Sequence, residues 1–222
     1  MNTPQTQKSI LIVSGGGIED AFVLSLLEKN KYEMMIACDS GMEFFRRNGL
    51  CPDLILGDFD SADRDGVAYF REQTGTRVEQ FPAEKDWTDT ELALRRALEL
   101  SPDHIDLVGA TGSRLDHVLG NLQLLSLGPE HGAEIFLLDP HNRIRMIDRP
   151  LTMRKSEQYG DFISLIPHGG AVRGLTLRGM KYPLEDAVLT PDVSLGVSNE
   201  IVAAEATITF TDGRLFVLET KD

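Results

Sequence analysis

The chain reads as an α/β domain on a mainly parallel sheet, followed by an all-β, antiparallel domain of sandwich or barrel type. Three observations predict this. Strand-like and helix-like segments alternate through the first two thirds, one helix start carries a capping box, and near residues 145–152 the texture changes to short strands separated by Gly, Pro and Asp. We place the α/β domain at residues 1–148 and the β domain at 149–222.

Each element has its own signal. Residues 9–14 form a β-branched and aliphatic run ending in Gly15-Gly16-Gly17, followed by a helical pattern through Phe22, Leu26 and Leu27. Residues 34–37 and 54–56 are short apolar runs of buried-strand type, and 78–81 is strand-like. Thr88-Asp89-Thr90-Glu91 is the capping box, opening a helix with Leu94, Ala97 and Leu98 on one face. A strand at 105–108, a glycine turn at 109–112, a helix through Leu115, Val118, Leu119, Leu122 and Leu125, and a strand at 134–138 complete the series. Beyond it, strands are expected at 162–166, 172–177, 188–190, 206–210 and 215–218, with turns at Pro167-His168-Gly169-Gly170 and Asp212-Gly213.

Bulk properties narrow the function. The formal charge of −13 in 222 residues repels nucleic acid and anionic membrane alike, so neither is an expected partner. It does not exclude phosphate ligands that arrive with divalent cations. No apolar run approaches the roughly 18–20 residues needed to span a bilayer, and the opening segment lacks a signal-peptide layout, so a cytoplasmic location is expected. Cys38 and Cys51 have no metal-ligand spacing and are expected to be small, mostly buried thiols.

The informative feature is where the acidic residues fall. Asp39 follows the strand at 34–37, Asp58 and Asp60 follow 54–56, Asp86 and Asp89 follow 78–81, and Asp116 follows 105–108. Ligands of parallel α/β sheets bind outside the carboxyl ends of the strands, so these carboxylates share one rim. Converging carboxylates repel one another unless a cation neutralises them, and Mg²⁺ suits oxygen donors completed by substrate phosphates. Asp58 and Asp60, one residue apart after Gly57, can face one ion, although aspartates at such places also serve as helix caps and turn formers. Lys85 sits in the same loops, and the Gly/Thr/Ser-rich turn through Thr111 to Arg114 offers backbone N–H groups and a guanidinium to phosphate. No Walker A motif is present. The residues alone predict metal-dependent phosphate transfer.

In order and spacing, Cys38-Asp39-Ser40-Gly41, Gly57-Asp58-Phe59-Asp60-Ser61, Lys85-Asp86-Trp87-Thr88-Asp89-Thr90-Glu91, the 109–117 loop with Asn121-Leu122, and Gly196-Val197-Ser198-Asn199-Glu200 resemble the thiamine pyrophosphokinase family. The family's first acidic loop usually has two glycines after Asp; here Ser40 and Gly41 follow, with Glu43 beyond. The resemblance implies an N-terminal α/β domain, a C-terminal β-sandwich and a homodimer with thiamine bound where subunits meet. It implies transfer of the pyrophosphoryl group of ATP to the thiamine hydroxyl, giving thiamine diphosphate and AMP. By resemblance Asp58, Asp60 and Asp89 are Mg²⁺ ligands. Asp39, Lys85, Thr88, Thr111 and Arg114 contact ATP or its phosphates, Asp116 meets the substrate hydroxyl, and Ser198 and Asn199 face thiamine. Asp58, Asp60, Asp89, Arg114 and Asp116 form the implied catalytic set. A diphosphokinase of another hydroxymethyl heterocycle, such as a pterin, and a non-catalytic nucleotide or thiamine sensor are the alternatives.

Overall fold

The structure, a computed structural model, describes residues 7–59, 64–72, 75–82, 84 and 86–222. They divide into two compact units, Met1–Pro140 and His141–Asp222.

The first unit runs β1 (Ser9–Val13), α1 (Asp20–Lys29), β2 (Met34–Cys38), a 3₁₀ turn (Asp39–Gly41), α2 (Met42–Arg47), β3 (Leu54–Gly57), α3 (Arg64–Glu72), β4 (Arg77–Gln80), α4 (Asp89–Leu98), β5 (His104–Val108), α5 (Leu115–Leu124), α6 (Leu127–His131) and β6 (Glu134–Leu138). Its strands are parallel in the order β4-β3-β2-β1-β5-β6. Ile10, Leu11, Ile12 and Val13 of the central strand are fully buried, which explains a continuous apolar run in place of strict alternation. The chain steps outward from β1 to β4 and then returns to the other side of β1 as β5. That reversal makes a topological switch point between the carboxyl ends of β1 and β5.

Thr88 caps α4 as expected, its Oγ1 accepting the amide of Glu91 at 3.2 Å. The Glu91 carboxylate turns forward instead of back, accepting both Nε and Nη2 of Arg95. The buried stripe Ala93, Leu94 and Ala97 seats this helix. Helices α2, α3 and α6 carry no expectation above; α2 and α6 span six and five residues, too short to display a helical period.

The second unit contains β7 (Asn142–Ile147), β8 (Leu151–Arg154), a 3₁₀ turn (Lys155–Glu157), β9 (Phe162–Arg178), β10 (Leu184–Leu189), β11 (Glu205–Thr209) and β12 (Asp212–Thr220). The ladder runs β7-β12-β9-β11-β8 with β10 also on β9, antiparallel throughout. Strand β7 belongs here because it pairs with β12 from Leu215↔Ile147 to Thr220↔Asn142, so the second unit begins before the expected 148/149 division. The expected turn at Pro167-His168-Gly169-Gly170 is part of one continuous strand of 17 residues. Pro167 and His168 stay in register with Leu215 and Arg214, and Gly169 absorbs the bend at φ +74°. Gly213, at φ +106°, likewise sits at a bulge inside β12.

One core serves the whole second unit, joining Ile163, Leu165, Leu215 and Val217 with Val172, Leu175, Leu177, Ala206 and Ile208. Glu219 is fully buried yet satisfied, taking Nε and Nη2 of Arg143 at 2.8 and 2.7 Å and the amide of Tyr159 at 3.0 Å. Among the described residues no helix is long and apolar enough to cross a membrane. Of the two cysteines, Cys38 is buried as expected and Cys51 is exposed, because it lies in the segment before β3 and outside the core.

Candidate active site

The switch point holds a crevice of about 450 Å³, within the usual range for small-molecule sites. Its wall is made by Ser14–Gly17 after β1, Cys38–Ser40 at the end of β2, Thr88–Thr90 at the start of α4 and 109–114 after β5, with His117, Val118 and Asn121 of α5.

Glycine is required here by close approach. Gly16 N donates to Gly109 O at 2.7 Å and Gly17 N to Thr111 O at 2.8 Å, so the two glycine loops extend the β1–β5 pairing beyond the sheet. A Cβ on Gly16 would stand 2.4 Å from the Thr111 carbonyl. The amides of Gly16 and Gly17 are therefore committed to the opposite loop. This agrees with the absence of a Walker A motif at Gly15-Gly16-Gly17.

Asp39 is half-buried in the crevice wall and holds φ +46°, a conformation that L side chains rarely adopt. Gly41 behind it is packed so closely that a Cβ would meet the Val13 carbonyl at 2.2 Å. Ser40, the departure from the family pattern, hydrogen-bonds Gly15 O through its Oγ at 3.3 Å and fills the space that Gly15 leaves open. Glu43 turns away, pairing with Arg46 and lying against Gly66 of α3. The Cys38 thiol is pushed well above its usual pKa, first by burial and then by the charges of Asp89 and Asp39. Both carboxylates thus bear on one point at the end of β2.

Arg114 occupies the position before α5 and lines the crevice. Its Nη2 donates to Asp116 Oδ2 at 2.6 Å and its Nε to Oδ1 at 3.3 Å. That guanidinium holds the Asp116 carboxyl below the ordinary range. Both side chains are well exposed, at 70% and 65%, so the pair is weak in water and leaves the guanidinium accessible from the crevice. Asp116 lines an adjoining cleft of about 230 Å³ with Thr88, Glu91, His117 and Asn121.

The structure therefore brings Asp39, Thr88, Asp89, Thr111 and Arg114 to one crevice and Asp116 to its neighbour. Asp58 is half-buried at the end of β3 and outside the crevice wall; a Cβ on Gly57 before it would stand 3.3 Å from the Asp39 backbone. Asp60 and Lys85 lie outside the described residues. Ser198 is exposed at φ +58°, with its amide held by Ser164 Oγ at 2.9 Å. Asn199 is buried, and its side chain is engaged locally. Oδ1 accepts the amides of Tyr182 and Glu200, while Nδ2 donates to Tyr182 O. Its side chain braces the loop that presents Ser198.

Trp87 stands beside the crevice without lining it; the Arg95 guanidinium lies over its ring at 4.8 Å. Sequence reasoning passed over Ser14 and Thr90, whose buried hydroxyls meet at 2.7 Å. It also gave no role to Asn121, whose amide donates to Ala110 O at 2.8 Å and ties α5 to the glycine loop. The available signal was a polar residue placed where the pattern calls for an apolar one.

The fit to Mg²⁺ rests on donor chemistry. Among the described residues no three His, Cys, Asp or Glu side chains gather as a metal group. The described members of the expected set, Asp58 and Asp89, are half-buried carboxylates at strand and helix ends. Mg²⁺ takes one or two carboxylates and completes its shell with water and phosphate, so this donor set suits it.

Fold and crevice define the class: an open parallel α/β unit with its ligand crevice at the switch point, followed by an antiparallel β unit. Residues 25–137 match the family described as "Thiamin pyrophosphokinase, catalytic domain", and residues 150–215 match "Thiamin pyrophosphokinase, vitamin B1 binding domain". The chain belongs to the thiamine pyrophosphokinase family. It is 35% identical over 200 residues to thiamine pyrophosphokinase of Bacillus subtilis (strain 168), covering 87% of this chain and 90% of that one. Against the crystal structure of thiamine pyrophosphokinase from Bacillus subtilis the TM-score is 0.85 at 35% identity, over 97% of this chain and 100% of that one. The corresponding structure from Geobacillus thermodenitrificans gives 0.82 at 32% identity, over 96% and 98%.

Proposed function

We propose that this chain is a thiamine diphosphokinase, moving the pyrophosphoryl group of ATP to the hydroxyl of thiamine. The observation that carries the reading is the presence of both family regions, catalytic and vitamin B1 binding, in one chain. The crevice at the β1/β5 switch point supports it with the chemistry that a polyphosphate needs.

In this reading the thiamine hydroxyl oxygen attacks the β-phosphorus of ATP. An O–P bond forms, the bond from the β-phosphorus to the α,β-bridging oxygen breaks, and AMP leaves with that oxygen. Arg114 exchanges Asp116 for phosphate oxygens, which frees the Asp116 carboxylate to orient the hydroxyl and take its proton. Thr88, Thr111, Asp39 and Lys85 hold the nucleotide in line. Asp58, Asp60 and Asp89 would hold Mg²⁺, which supplies charge neutralisation of the phosphates when bound. The second unit, read as a β-sandwich sharing one core between its two halves, presents Ser198 to thiamine.

The remaining expectations belong to the same proposal. A homodimer is supported by the apolar side chains left exposed on α5, Leu115 and Leu119, and on the 193–197 loop, Val193, Leu195 and Val197. A cytoplasmic location fits the absence of any long apolar helix among the described residues. The purified chain, incubated with ATP, Mg²⁺ and either thiamine or a hydroxymethylpterin, is expected to release AMP with thiamine. Release with the pterin alone would overturn the acceptor, and release with neither would leave a binding protein.

A further inference from the structure

Helix α4 reaches the crevice by its first turn, and three successive residues there do different jobs. Thr88 caps the helix at the mouth of the crevice, Asp89 lines the wall, and Thr90 turns inward to Ser14. The Ser14 and Thr90 side chains are nine-tenths buried or more, with Oγ and Oγ1 at 2.7 Å, the usual hydroxyl–hydroxyl distance. Apolar packing by Ala93, Leu94 and Ala97 seats the body of the helix, but such packing is non-directional, whereas a hydrogen bond fixes one geometry for the end turn. Two apolar side chains of similar shape would fill the same space without desolvating two hydroxyls.

Ser14 is also a fixed reference. Its amide donates to Val108 O at 2.9 Å, and a Cβ on Gly109 would lie 2.3 Å from its carbonyl oxygen. The loop carrying Thr111 and Arg114 begins at that contact. The hydroxyl pair therefore ties the residue after Asp89 to the same point that carries the glycine loop.

We infer that Ser14 and Thr90 are positioning residues: their buried hydroxyl pair holds Asp89 in register with the 109–114 loop and sets how tightly the crevice takes a divalent metal–nucleotide. The inference rests on the diphosphokinase reading for its ligand class. The test uses the full chain as wild type, Thr90→Val, Thr90→Ser, Ser14→Ala and the double variant of Ser14→Ala with Thr90→Val. Mn²⁺ binding in the presence of ATP is followed by electron paramagnetic resonance and calorimetry, beside thermal melting and the KM for ATP.

Thr90→Val keeps shape and removes the hydroxyl, so Mn²⁺–ATP affinity should fall roughly tenfold, the lower end of what loss of a supporting contact behind a metal ligand costs. Thr90→Ser should stay within about twofold of wild type, because it restores the bond. Ser14→Ala should match Thr90→Val, and the double variant should be little worse than either single one. Wild-type affinity in both Thr90→Val and Ser14→Ala would overturn the inference, whatever happens to melting. So would a Thr90→Ser protein as weak as Thr90→Val. If Thr90→Val fails to fold, Ser14→Ala decides alone. A wild type that binds Mn²⁺–ATP but releases no AMP with thiamine would defeat the functional reading and leave this one standing; a wild type that does not bind it would overturn this one.

Discussion

The interior of the parallel sheet and its carboxyl rim treat acidic side chains in opposite ways. In the interior, Asp106 at the middle of β5 is 4% exposed and both of its oxygens are engaged. The Tyr32 hydroxyl donates to Oδ2 at 2.5 Å, and His104 Nε2 shares a hydrogen bond with Oδ1 at 2.8 Å. At the carboxyl end, Asp39, Asp58 and Asp89 are half-buried on loops and helix starts, and Asp116 is exposed against an equally exposed Arg114. The first arrangement is closed, with each carboxylate oxygen held by a fixed neighbour. The second gathers negative charge beside a cavity, which suits a cationic or metal-bearing ligand. Aspartate alone says nothing of role; burial and partner do.

That contrast can be broken or sharpened by substitution. The largest effect is expected from Asp89→Asn, which should lower AMP-forming turnover by roughly 10²–10⁴, on the scale of removing a key electrostatic group, with little change in melting temperature. Near-normal turnover in that variant would place Asp89 with the structural carboxylates. Next comes Arg114→Gln, expected to raise the KM for ATP roughly ten- to a hundredfold by removing a bidentate phosphate contact. An unchanged KM would leave the Arg114–Asp116 pair as an ordinary surface ion pair.

Asp106→Asn should do the reverse. It disturbs a buried network, so stability should fall by about 1–3 kcal/mol in chemical denaturation while kcat and KM hold at temperatures where the protein stays folded. A loss of turnover out of proportion to stability would join the sheet interior to the carboxyl rim. The smallest effect belongs to Tyr32. Its phenol is pushed up from its ordinary pKa, first by burial and then by the Asp106 charge. A raised folded-state pKa contributes stability that is complete below the unfolded value of about 10 and is lost as pH rises beyond it. Tyr32→Phe should therefore flatten the decline of stability on the alkaline side of pH about 10. An identical decline in the variant would remove Tyr32 from the alkaline transition.

Much of the architecture was legible in the residues because it depends on local pattern. Buried parallel strands announce themselves as unbroken apolar runs, and 54–56 or 134–138 lie within a residue of the observed β3 and β6. Thr88 was readable because an N-cap acts over three residues. The short helices α2 and α6 were not, since a helix of one or two turns shows no period. Strand β9 was divided at Pro167 because proline and paired glycines usually end a strand; here Pro167 keeps its place opposite Leu215 and Gly169 turns the chain without stopping it.

For the site, residue types and spacing alone determined that the aspartates collect at strand ends, since a parallel sheet puts every such end on one side. Spacing could not say which of them share a cavity. Tertiary structure decided that Asp39 and Asp89 face one crevice while Asp116 opens on its neighbour, that the Asn199 side chain braces its own loop, and that Ser14 meets Thr90 across 76 positions. The physical reason is range. Strand, cap and turn preferences are set by neighbours within a few residues, whereas a crevice is made where β1 and β5, far apart in the chain, lie side by side.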